Sequence, residues 1–331
     1  MQSFTIYVIE VLVGLGLLII GSHFFIEATA NTALKYKISP LITGLIIVGF
    51  ATSAPEIFVG IEAALFEERV NIAVGNAIGS NIANIGLIVG LTALIFTIKI
   101  NSGKTLQKLY GLMCLAMLPP FLLMYIGNDL TREDSIILLL CLVISFYLLM
   151  KIAKNVPSND PVSNQFSSEL SEIEDKSAIN LILKMTTGLA VLLFGAWALL
   201  YGAVGIAKNF GMSDLVIGLT IVAVGTSLPE TATSIMSLIK KKYDIALGNI
   251  IGSNMFNMLA VLTIPVLITP IDLLDPDVIK RDFAFMFFLT LLFASFLFYF
   301  SKNTLTRRKG IILLLFFVGY QFYIYRSTVG A

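Results

Sequence analysis

The sequence predicts an all-α polytopic membrane protein in which ten transmembrane helices form two inverted five-helix repeats. Three features support this fold class: the composition, the grouping of apolar residues into long runs, and an internal duplication. The chain is 57% hydrophobic and 13% charged, whereas soluble domains carry about 25% charged residues. Its mean hydropathy is +0.91. The net charge of +1 gives little attraction for a polyanion, so no nucleic-acid partner is expected.

Ten apolar runs are long enough to cross a bilayer as helices, which requires about 20 mostly apolar residues each. No Lys or Arg precedes the first run, so it is predicted to be a transmembrane helix rather than a cleaved signal peptide. Spans 1 to 10 are predicted, in chain order, at approximately 4–30, 39–65, 71–97, 105–126, 133–153, 179–207, 214–239, 243–268, 280–300 and 308–326.

One long polar segment interrupts this pattern. Residues 154–178 are acidic and rich in Ser, Asn and Pro, a composition typical of a flexible linker. The segment is too short to fold as a domain. The predicted organisation is therefore a first five-helix repeat at 1–153, a linker at 154–178 and a second five-helix repeat at 179–331.

The positive charges set the predicted orientation. Loops after odd-numbered spans hold 15 Lys and Arg residues, the opposite side holds six, and Lys184 lies inside span 6. Because Lys and Arg accumulate in cytoplasmic loops, both termini are expected outside and the 154–178 linker in the cytoplasm.

The second half of the chain repeats the polar pattern of the first. A shift of 174 residues superposes ATSAPE at 51–56 on GTSLPE at 225–230. With one residue fewer, GNAIGSNIAN at 75–84 falls on GNIIGSNMFN at 248–257. Each half has an odd number of spans, so the second copy is inverted in the membrane. Inverted repeats are a common plan of transporters, with the binding site near the midplane.

The first shared motif places a proline and an acid inside an apolar span. Pro55 lacks an N–H and clashes with the carbonyl of Ala51, and such carbonyls are tolerated at membrane depth only beside protein or a water-filled cavity. Thr52 and Ser53 lie four and three residues before Glu56, so a helix brings them to one side. Each motif thus offers carbonyl, hydroxyl and carboxylate oxygens. The second copy consists of Thr226, Ser227, Pro229 and Glu230.

The second shared motif is a stripe of polar side chains. Asn76, Ser80 and Asn84 are spaced four residues apart and share one helical face. Such a stripe either bonds helices together or lines an ion pathway. Its presence beside an acidic motif in both halves favours the pathway, with packing as a second role. The second copy consists of Asn249, Ser253 and Asn257.

Two buried acids require a partner. Placing Glu56 and Glu230 at the centre of a bilayer costs on the order of 5–7 kcal/mol together, before any mutual repulsion. Neither motif contains Lys or Arg, so a cation is the simplest partner. Ca²⁺ takes about 6–8 oxygen ligands, and two bidentate glutamates with one carbonyl from each repeat supply six. The alternative is a kinked helix with a protonated or backbone-bonded acid.

These motifs resemble the two signature repeats of the sodium/calcium exchanger family, within the cation/calcium antiporter superfamily and of prokaryotic type. The resemblance covers both repeats at the family's spacing. It implies that Glu56 and Glu230 bind Ca²⁺ with the backbone carbonyls of Thr52 and Thr226. It also implies that further side chains hold Na⁺ or complete the centre: Ser53, Ser80, Ser227 and Ser253 for Na⁺, and Asn84 and Asn257 at the centre.

Two positions depart from the family pattern. Ala51 replaces the usual Gly, and Asn257 stands where some relatives carry Asp. The second departure removes a third acid from the centre and lowers the expectation of K⁺ co-transport.

The expected function is secondary antiport of Na⁺ against Ca²⁺ by alternating access, with spans 1 and 6 sliding against a fixed core. The alternatives are an exchanger of H⁺ against Ca²⁺ or another divalent cation and, less favoured, a cation channel. One His in the whole chain, at the end of span 1, argues against a histidine-dependent hydrolase, so no enzyme is expected. The expected partners are Ca²⁺, Na⁺ and the lipid bilayer, with no resident cofactor and no obligate protein partner. The expected location is a prokaryotic plasma membrane, as a multi-pass protein.

Overall fold

Nearly all of the described residues lie in helices. The computed structural model describes residues 4–66, 71–99, 103–154, 177–211, 221, 223–274, 276–299 and 304–329. Within them, eight helical segments are long and apolar enough to cross a membrane. The predicted all-α membrane fold is confirmed, with one small addition. Strand β1, Ile98–Lys99, pairs antiparallel with β2, Thr304–Leu305, between the ends of spans 3 and 9.

The first repeat contains spans 1 to 5. Span 1 is one long helix, whereas spans 2 and 3 are interrupted by π-helical turns, in which the backbone makes one wider turn. In chain order the elements are α1 (Phe4–Lys35), α2 (Pro40–Thr43), a π turn (Gly44–Val48), α3 (Gly49–Thr52), α4 (Ala54–Phe66), α5 (Asn71–Ala83), a π turn (Asn84–Val89), α6 (Gly90–Ile95), α7 (Gly103–Ala116), α8 (Leu118–Gly127) and α9 (Arg132–Lys154).

The second repeat contains spans 6 to 10. Its elements are α10 (Ala178–Asn209), α11 (Ala223–Thr226), α12 (Leu228–Ile239), α13 (Tyr243–Phe256), a π turn (Asn257–Val261), α14 (Thr263–Ile268), a π turn (Val278–Phe283), α15 (Ala284–Phe298) and α16 (Arg307–Val329). Residues 212–220 and 222, which include the start of predicted span 7 at 214, lie outside the described residues, as do 155–176 of the predicted linker. The boundaries 1–153, 154–178 and 179–331 therefore stay a prediction.

Spans 3 and 8 form the centre of the molecule. In its most apolar window, the segment Tyr243–Ile268 is 89% buried inside the protein and Ala73–Ile95 is 72% buried. The corresponding figures for Phe4–Lys35 and Arg132–Ile152 are 17% and 22%. The polar stripes of the second motif therefore lie on the two most enclosed helices, and the outer helices present apolar side chains to lipid.

Spans 1 and 6 pack along their length as an antiparallel pair. A methyl group added at Gly14 would lie 2.5 Å from the backbone nitrogen of Leu199, and one at Gly188 would lie 2.6 Å from that of Phe25. Residues early in span 1 therefore contact residues late in span 6, and residues late in span 1 contact residues early in span 6. Glycine allows this backbone contact because it has no Cβ. Equivalent spans that run in opposite directions are what an inverted repeat requires.

Span 8 packs closely against the first half of span 2. A methyl group at Gly252 or Gly248 would collide with the backbone of Leu45, and one at Gly44 would collide with that of Ile245. The two helices run in the same direction there. This contact fixes span 8 beside Thr52 and Ser53, which follow one to two turns further along span 2.

The two proline motifs break their helices at equivalent residues. Helix α3 ends at Thr52 and α4 begins at Ala54, with Ser53 between them at φ −81° and ψ 3°. Ser227 separates α11 from α12 in the same way, at φ −87° and ψ 10°. The interruption predicted from Pro55 and Pro229 is confirmed in both spans.

An ion-pair cluster joins span 1 to spans 6 and 7 at one end of the molecule. The Lys184 ammonium lies 2.7 Å from Glu27 Oε1, and Lys240 lies 3.5 Å from Glu27 Oε2. His23 Nε2 is 3.4 Å from the same oxygen. Lys184, an isolated charge in the sequence of span 6, thus has its counter-charge on the neighbouring helix.

Candidate functional site

The two helix breaks position the glutamates. Glu56 and Glu230 lie in the first turns of α4 and α12, directly after Ser53 and Ser227. The N-terminal end of a helix carries a partial positive charge, which favours a carboxylate there. Ser53 also lies near the middle of the segment Pro40–Leu65. Each break therefore starts a new helix inside the membrane with an acid at its positive end.

All ten side chains selected from the sequence are buried, with exposed fractions of 4% or less. They come from four spans, two in each repeat. Spans 2 and 7 supply Thr52, Ser53, Glu56, Thr226, Ser227 and Glu230, and spans 3 and 8 supply Ser80, Asn84, Ser253 and Asn257.

The two repeats meet at the glutamates. The Ser53 hydroxyl of the first repeat donates to Glu230 Oε1 of the second at 3.5 Å. Both carboxylate oxygens of Glu56 and Oε2 of Glu230 are buried without a hydrogen-bond partner among the described residues. No Lys, Arg or His of that part of the chain forms an ion pair with either acid.

Asn249 ties three spans together beside Glu230. Its amide nitrogen lies within hydrogen-bonding distance of three acceptors in span 7: the Glu230 carbonyl at 3.4 Å, the Thr233 hydroxyl at 3.2 Å and the Ser234 hydroxyl at 3.0 Å. Its amide oxygen accepts from Thr52 of span 2 at 3.2 Å and from Ser253 at 3.5 Å. The helical stripe predicted from the sequence therefore contacts the acidic motifs of both repeats.

Asn76 makes the equivalent contact in the first repeat. Its amide donates to the backbone carbonyl of Glu56 at 3.2 Å, and its oxygen accepts from Ser80 at 3.5 Å. In each repeat, the first asparagine of the stripe thus holds the backbone of the acidic residue. The bonds are more numerous in the second repeat because Thr233 and Ser234 occur where the first repeat has Val59 and Gly60.

The last asparagines of the stripes are arranged differently. Asn84 donates to the side-chain oxygen of Asn254 at 3.0 Å, and Asn257 donates to that of Asn81 at 3.1 Å. The side-chain oxygens of Asn84 and Asn257 are buried without a partner among the described residues, as is the Ser227 hydroxyl. No hydrogen bond in the same part of the chain joins either asparagine to a glutamate. Their predicted place at the centre stays a prediction.

Four further polar residues beside the site were not singled out from the sequence. Asn81 and Asn254 belong to the second motif, but their position one residue after Ser80 and Ser253 places them on a neighbouring face. Thr233 and Ser234 follow Glu230 by three and four residues, and that spacing was available as a signal.

The side chains and carbonyls of the site are suited to binding a hard cation. Carboxylate, hydroxyl, amide and carbonyl oxygens surround it, and oxygens of these kinds are the ligands that Ca²⁺ prefers. Within the described ranges, no group of three or more His, Cys, Asp and Glu could hold a metal ion. Any cation bound here would therefore depend on neutral oxygens in addition to the two acids.

A family model described as "Sodium/calcium exchanger protein" matches this chain twice, at residues 6–151 and 181–326. The chain belongs to the sodium/calcium exchanger family. CaxA of Alkalimonas amylolytica, provisionally named an antiporter, is 41% identical to this chain. The alignment covers 96% of this chain and 98% of CaxA. The sodium/calcium exchanger MaX1 of Methanosarcina acetivorans is 27% identical over 96% of this chain and 97% of its own.

The fold is that of a solved member of the exchanger family. The sodium-calcium exchanger NCX_Mj, soaked with 100 mM Na⁺ and 10 mM Sr²⁺, matches with a TM-score of 0.79 and 29% identity. The match covers 96% of this chain and 97% of that one. The family resemblance and the two-repeat helical fold predicted from the sequence are confirmed. The protein is a membrane antiporter of the sodium/calcium exchanger family.

Proposed function

We propose that this protein exchanges Na⁺ for Ca²⁺ by alternating access, and that both ions compete for one site built on Glu56 and Glu230. The observation that carries the proposal is the lack of partners around these acids. Three of their four carboxylate oxygens are buried without a hydrogen bond among the described residues. Buried charges in proteins are paired or coordinate a metal. A transported cation supplies the missing charge.

Calcium coordination follows from the donor set. Two bidentate glutamates and the backbone carbonyls of Thr52 and Thr226 supply six oxygens, the lower end of the usual number for Ca²⁺. Na⁺ is held by the same glutamates with the hydroxyls of Ser53, Ser80, Ser227 and Ser253. Asn84 and Asn257 complete the centre from spans 3 and 8.

Competition for the site produces exchange rather than leak. A site with two negative charges is neutralised by one Ca²⁺ or by Na⁺ ions, but not by both together. Without a bound ion, the protein would have to change its accessible side with two unpaired carboxylates buried, which is costly. Loading by either ion removes this cost, and the protein then changes its accessible side.

The moving element in this proposal is the antiparallel pair of spans 1 and 6. The two helices contact each other through glycines, and only 17% of the apolar window of span 1 is buried. A tightly joined pair that is weakly enclosed by the rest of the protein is suited to moving as one body against the core. The loop charges place both termini outside and the 154–178 linker in the cytoplasm of a prokaryotic cell. Labelling of single cysteines introduced near each terminus and in the linker tests this orientation.

The decisive experiment is Ca²⁺ uptake into proteoliposomes that are loaded with Na⁺ and diluted into Na⁺-free buffer at matched pH. The double variant Glu56→Gln, Glu230→Gln should abolish uptake. Glu62→Gln is the matched control, because Glu62 lies on the same helix as Glu56 and is exposed. Uptake by the wild type in the absence of any Na⁺ gradient would contradict the coupling.

An exchanger of H⁺ against Ca²⁺ is the second candidate, because protons also neutralise unpartnered carboxylates. The same vesicles distinguish the two. An acid-inside gradient without Na⁺ should drive Ca²⁺ uptake only if protons are the counter-ion.

A further inference from the structure

Four asparagine side chains form a buried layer between spans 3 and 8. Asn81 and Asn84 come from span 3, and Asn254 and Asn257 come from span 8. Their exposed fractions are 1% or less. The bond from Asn84 to Asn254 and the bond from Asn257 to Asn81 are equivalent under the internal repeat, at 3.0 Å and 3.1 Å. Each repeat thus donates one amide to the other.

A backbone carbonyl fixes the direction of one of these pairs. The Asn81 amide nitrogen donates to the carbonyl of Asn254 at 3.1 Å, and a carbonyl can only accept. The Asn81 side-chain oxygen must therefore face Asn257. Asn257 meets it with its amide nitrogen, which leaves its own oxygen on the other side.

The Asn84 pair is held less strictly. Asn84 donates to the Asn254 side-chain oxygen, but the Asn254 amide nitrogen has no partner among the described residues. Exchange of nitrogen and oxygen in both side chains would keep the bond and reverse Asn84. The amide orientation is therefore anchored at Asn257 and unanchored at Asn84.

The consequence concerns the two free oxygens. Those of Asn84 and Asn257 are buried without a donor among the described residues, although an unpaired buried acceptor costs about 1–3 kcal/mol. Each lies on the same helical face as the site residues of its span, Ser80 or Ser253. A reversed amide would offer N–H groups there, which repel a cation.

We propose that Asn81 is a positioning residue for cation binding, which holds Asn257 with its side-chain oxygen free for the ion. This inference rests on the proposed function, in which Asn257 completes the ion site together with Asn84. Asn254 is not given this role, because its bond to Asn84 is kept when both amides are reversed. A purely structural role, in which the layer only joins spans 3 and 8, gives a different result in the following test.

The test is a double-mutant cycle read by equilibrium binding of ⁴⁵Ca²⁺ to purified protein in Na⁺-free detergent solution. Asn81→Ala is made in the wild type and in Asn257→Asp. A carboxylate has two acceptor oxygens and no amide direction, so it needs no positioning. Asn81→Ala should weaken Ca²⁺ binding about fivefold to tenfold beside Asn257, the loss of roughly one hydrogen bond. Beside the aspartate it should not weaken binding, because the Asn81 oxygen that faces position 257 donates no hydrogen bond to a carboxylate.

Thr92→Val is the matched control. Thr92 is buried in the same span, and among the described residues its hydroxyl donates only to backbone carbonyls of that span, at 2.6 Å and 3.1 Å. It should leave Ca²⁺ binding unchanged. If Asn81→Ala does not fold, as judged by thermal melting and gel filtration, Asn81→Ser, which also removes the amide group, is tested in the same two backgrounds.

The outcomes separate the two proposals. A wild type that binds no ⁴⁵Ca²⁺ would overturn the proposed function and this inference with it. A wild type that binds Ca²⁺, with equal losses in both backgrounds, would overturn the positioning role alone. Loss only beside the native asparagine supports it.

Discussion

Gly14 of span 1 and Gly195 of span 6 meet backbone to backbone. A methyl group at Gly14 would lie 2.8 Å from the carbonyl oxygen of Gly195, and one at Gly195 would lie 2.6 Å from the backbone nitrogen of Leu18. Because the obstructing atoms belong to the backbone, a side chain here must separate the helices. The contact determines how closely the two equivalent spans approach.

Gly14→Ala should therefore destabilise the protein by about 1–3 kcal/mol, the usual cost of overpacking. The measurement is the thermal midpoint in detergent, with Ca²⁺ uptake recorded in parallel. Gly16→Ala is the control on the same helix, since no described atom lies within 4 Å of an added methyl there. Equal destabilisation by the two substitutions would show that close packing is not the cause.

Neutralising one buried acid should separate stability from binding. In the absence of Na⁺ and Ca²⁺, Glu56→Gln should melt at or above the wild-type temperature, because it removes an unpaired buried carboxylate. Ca²⁺ at about 100 times its dissociation constant should stabilise the wild type by about 2.7 kcal/mol and the variant much less. Thermal melting with and without Ca²⁺ measures both effects. A variant that gains as much from Ca²⁺ as the wild type would exclude Glu56 from the site.

The two leading asparagines should not be equally important. Asn249 contacts Thr52, Thr233 and Ser234 in addition to the Glu230 backbone, whereas Asn76 contacts the Glu56 backbone and Ser80. Asn249→Ala should cost about 1–3 kcal/mol more stability than Asn76→Ala, because it leaves more buried groups unpaired. Chemical or thermal unfolding in detergent compares the two. Indistinguishable unfolding midpoints would show that the additional hydrogen bonds of the second repeat do not stabilise the protein.

The Glu27 cluster should contribute little, and its contribution should depend on salt. Glu27 and Lys184 are 31% and 37% exposed, and pairs of this kind contribute roughly 0–1 kcal/mol. Glu27→Gln should lower the thermal midpoint slightly at low ionic strength and have a smaller effect at 0.5 M salt, where the screening length is only about 3–5 Å. Glu62→Gln serves as the control for the loss of an acid. An effect of Glu27→Gln that is unchanged by salt would point to packing instead.

The positions of the acids are predictable from the sequence because local rules act there. Pro55 and Pro229 cannot continue a helix, and the structure breaks at Ser53 and Ser227, as these prolines require. The duplication predicts that the two breaks are equivalent, and Ser53 and Ser227 are equivalent residues. It also predicts that spans 1 and 6 run in opposite directions, as they do. Burial of the site residues follows from their position in apolar runs.

The asparagine layer is not predictable in the same way. Whether Asn81 faces Asn257 depends on the register between spans 3 and 8, which only the tertiary packing of the two helices sets. The π turns at Asn84 and Asn257 are also not predicted from the sequence, because no proline lies within either turn to mark the distortion. A bond from the Leu262 N–H to the Asn257 carbonyl, five residues back, is the structural sign of the wider turn.

These two π turns begin at residues that are equivalent in the duplication, Asn84 and Asn257. A wide turn is costly and is commonly retained at functional sites. Its occurrence at the same place in both halves makes the wide turn part of the repeated unit and not an irregularity of one span. A substitution that restores a regular helix at Asn84 therefore has a matched counterpart at Asn257, and the two halves can be compared within one molecule.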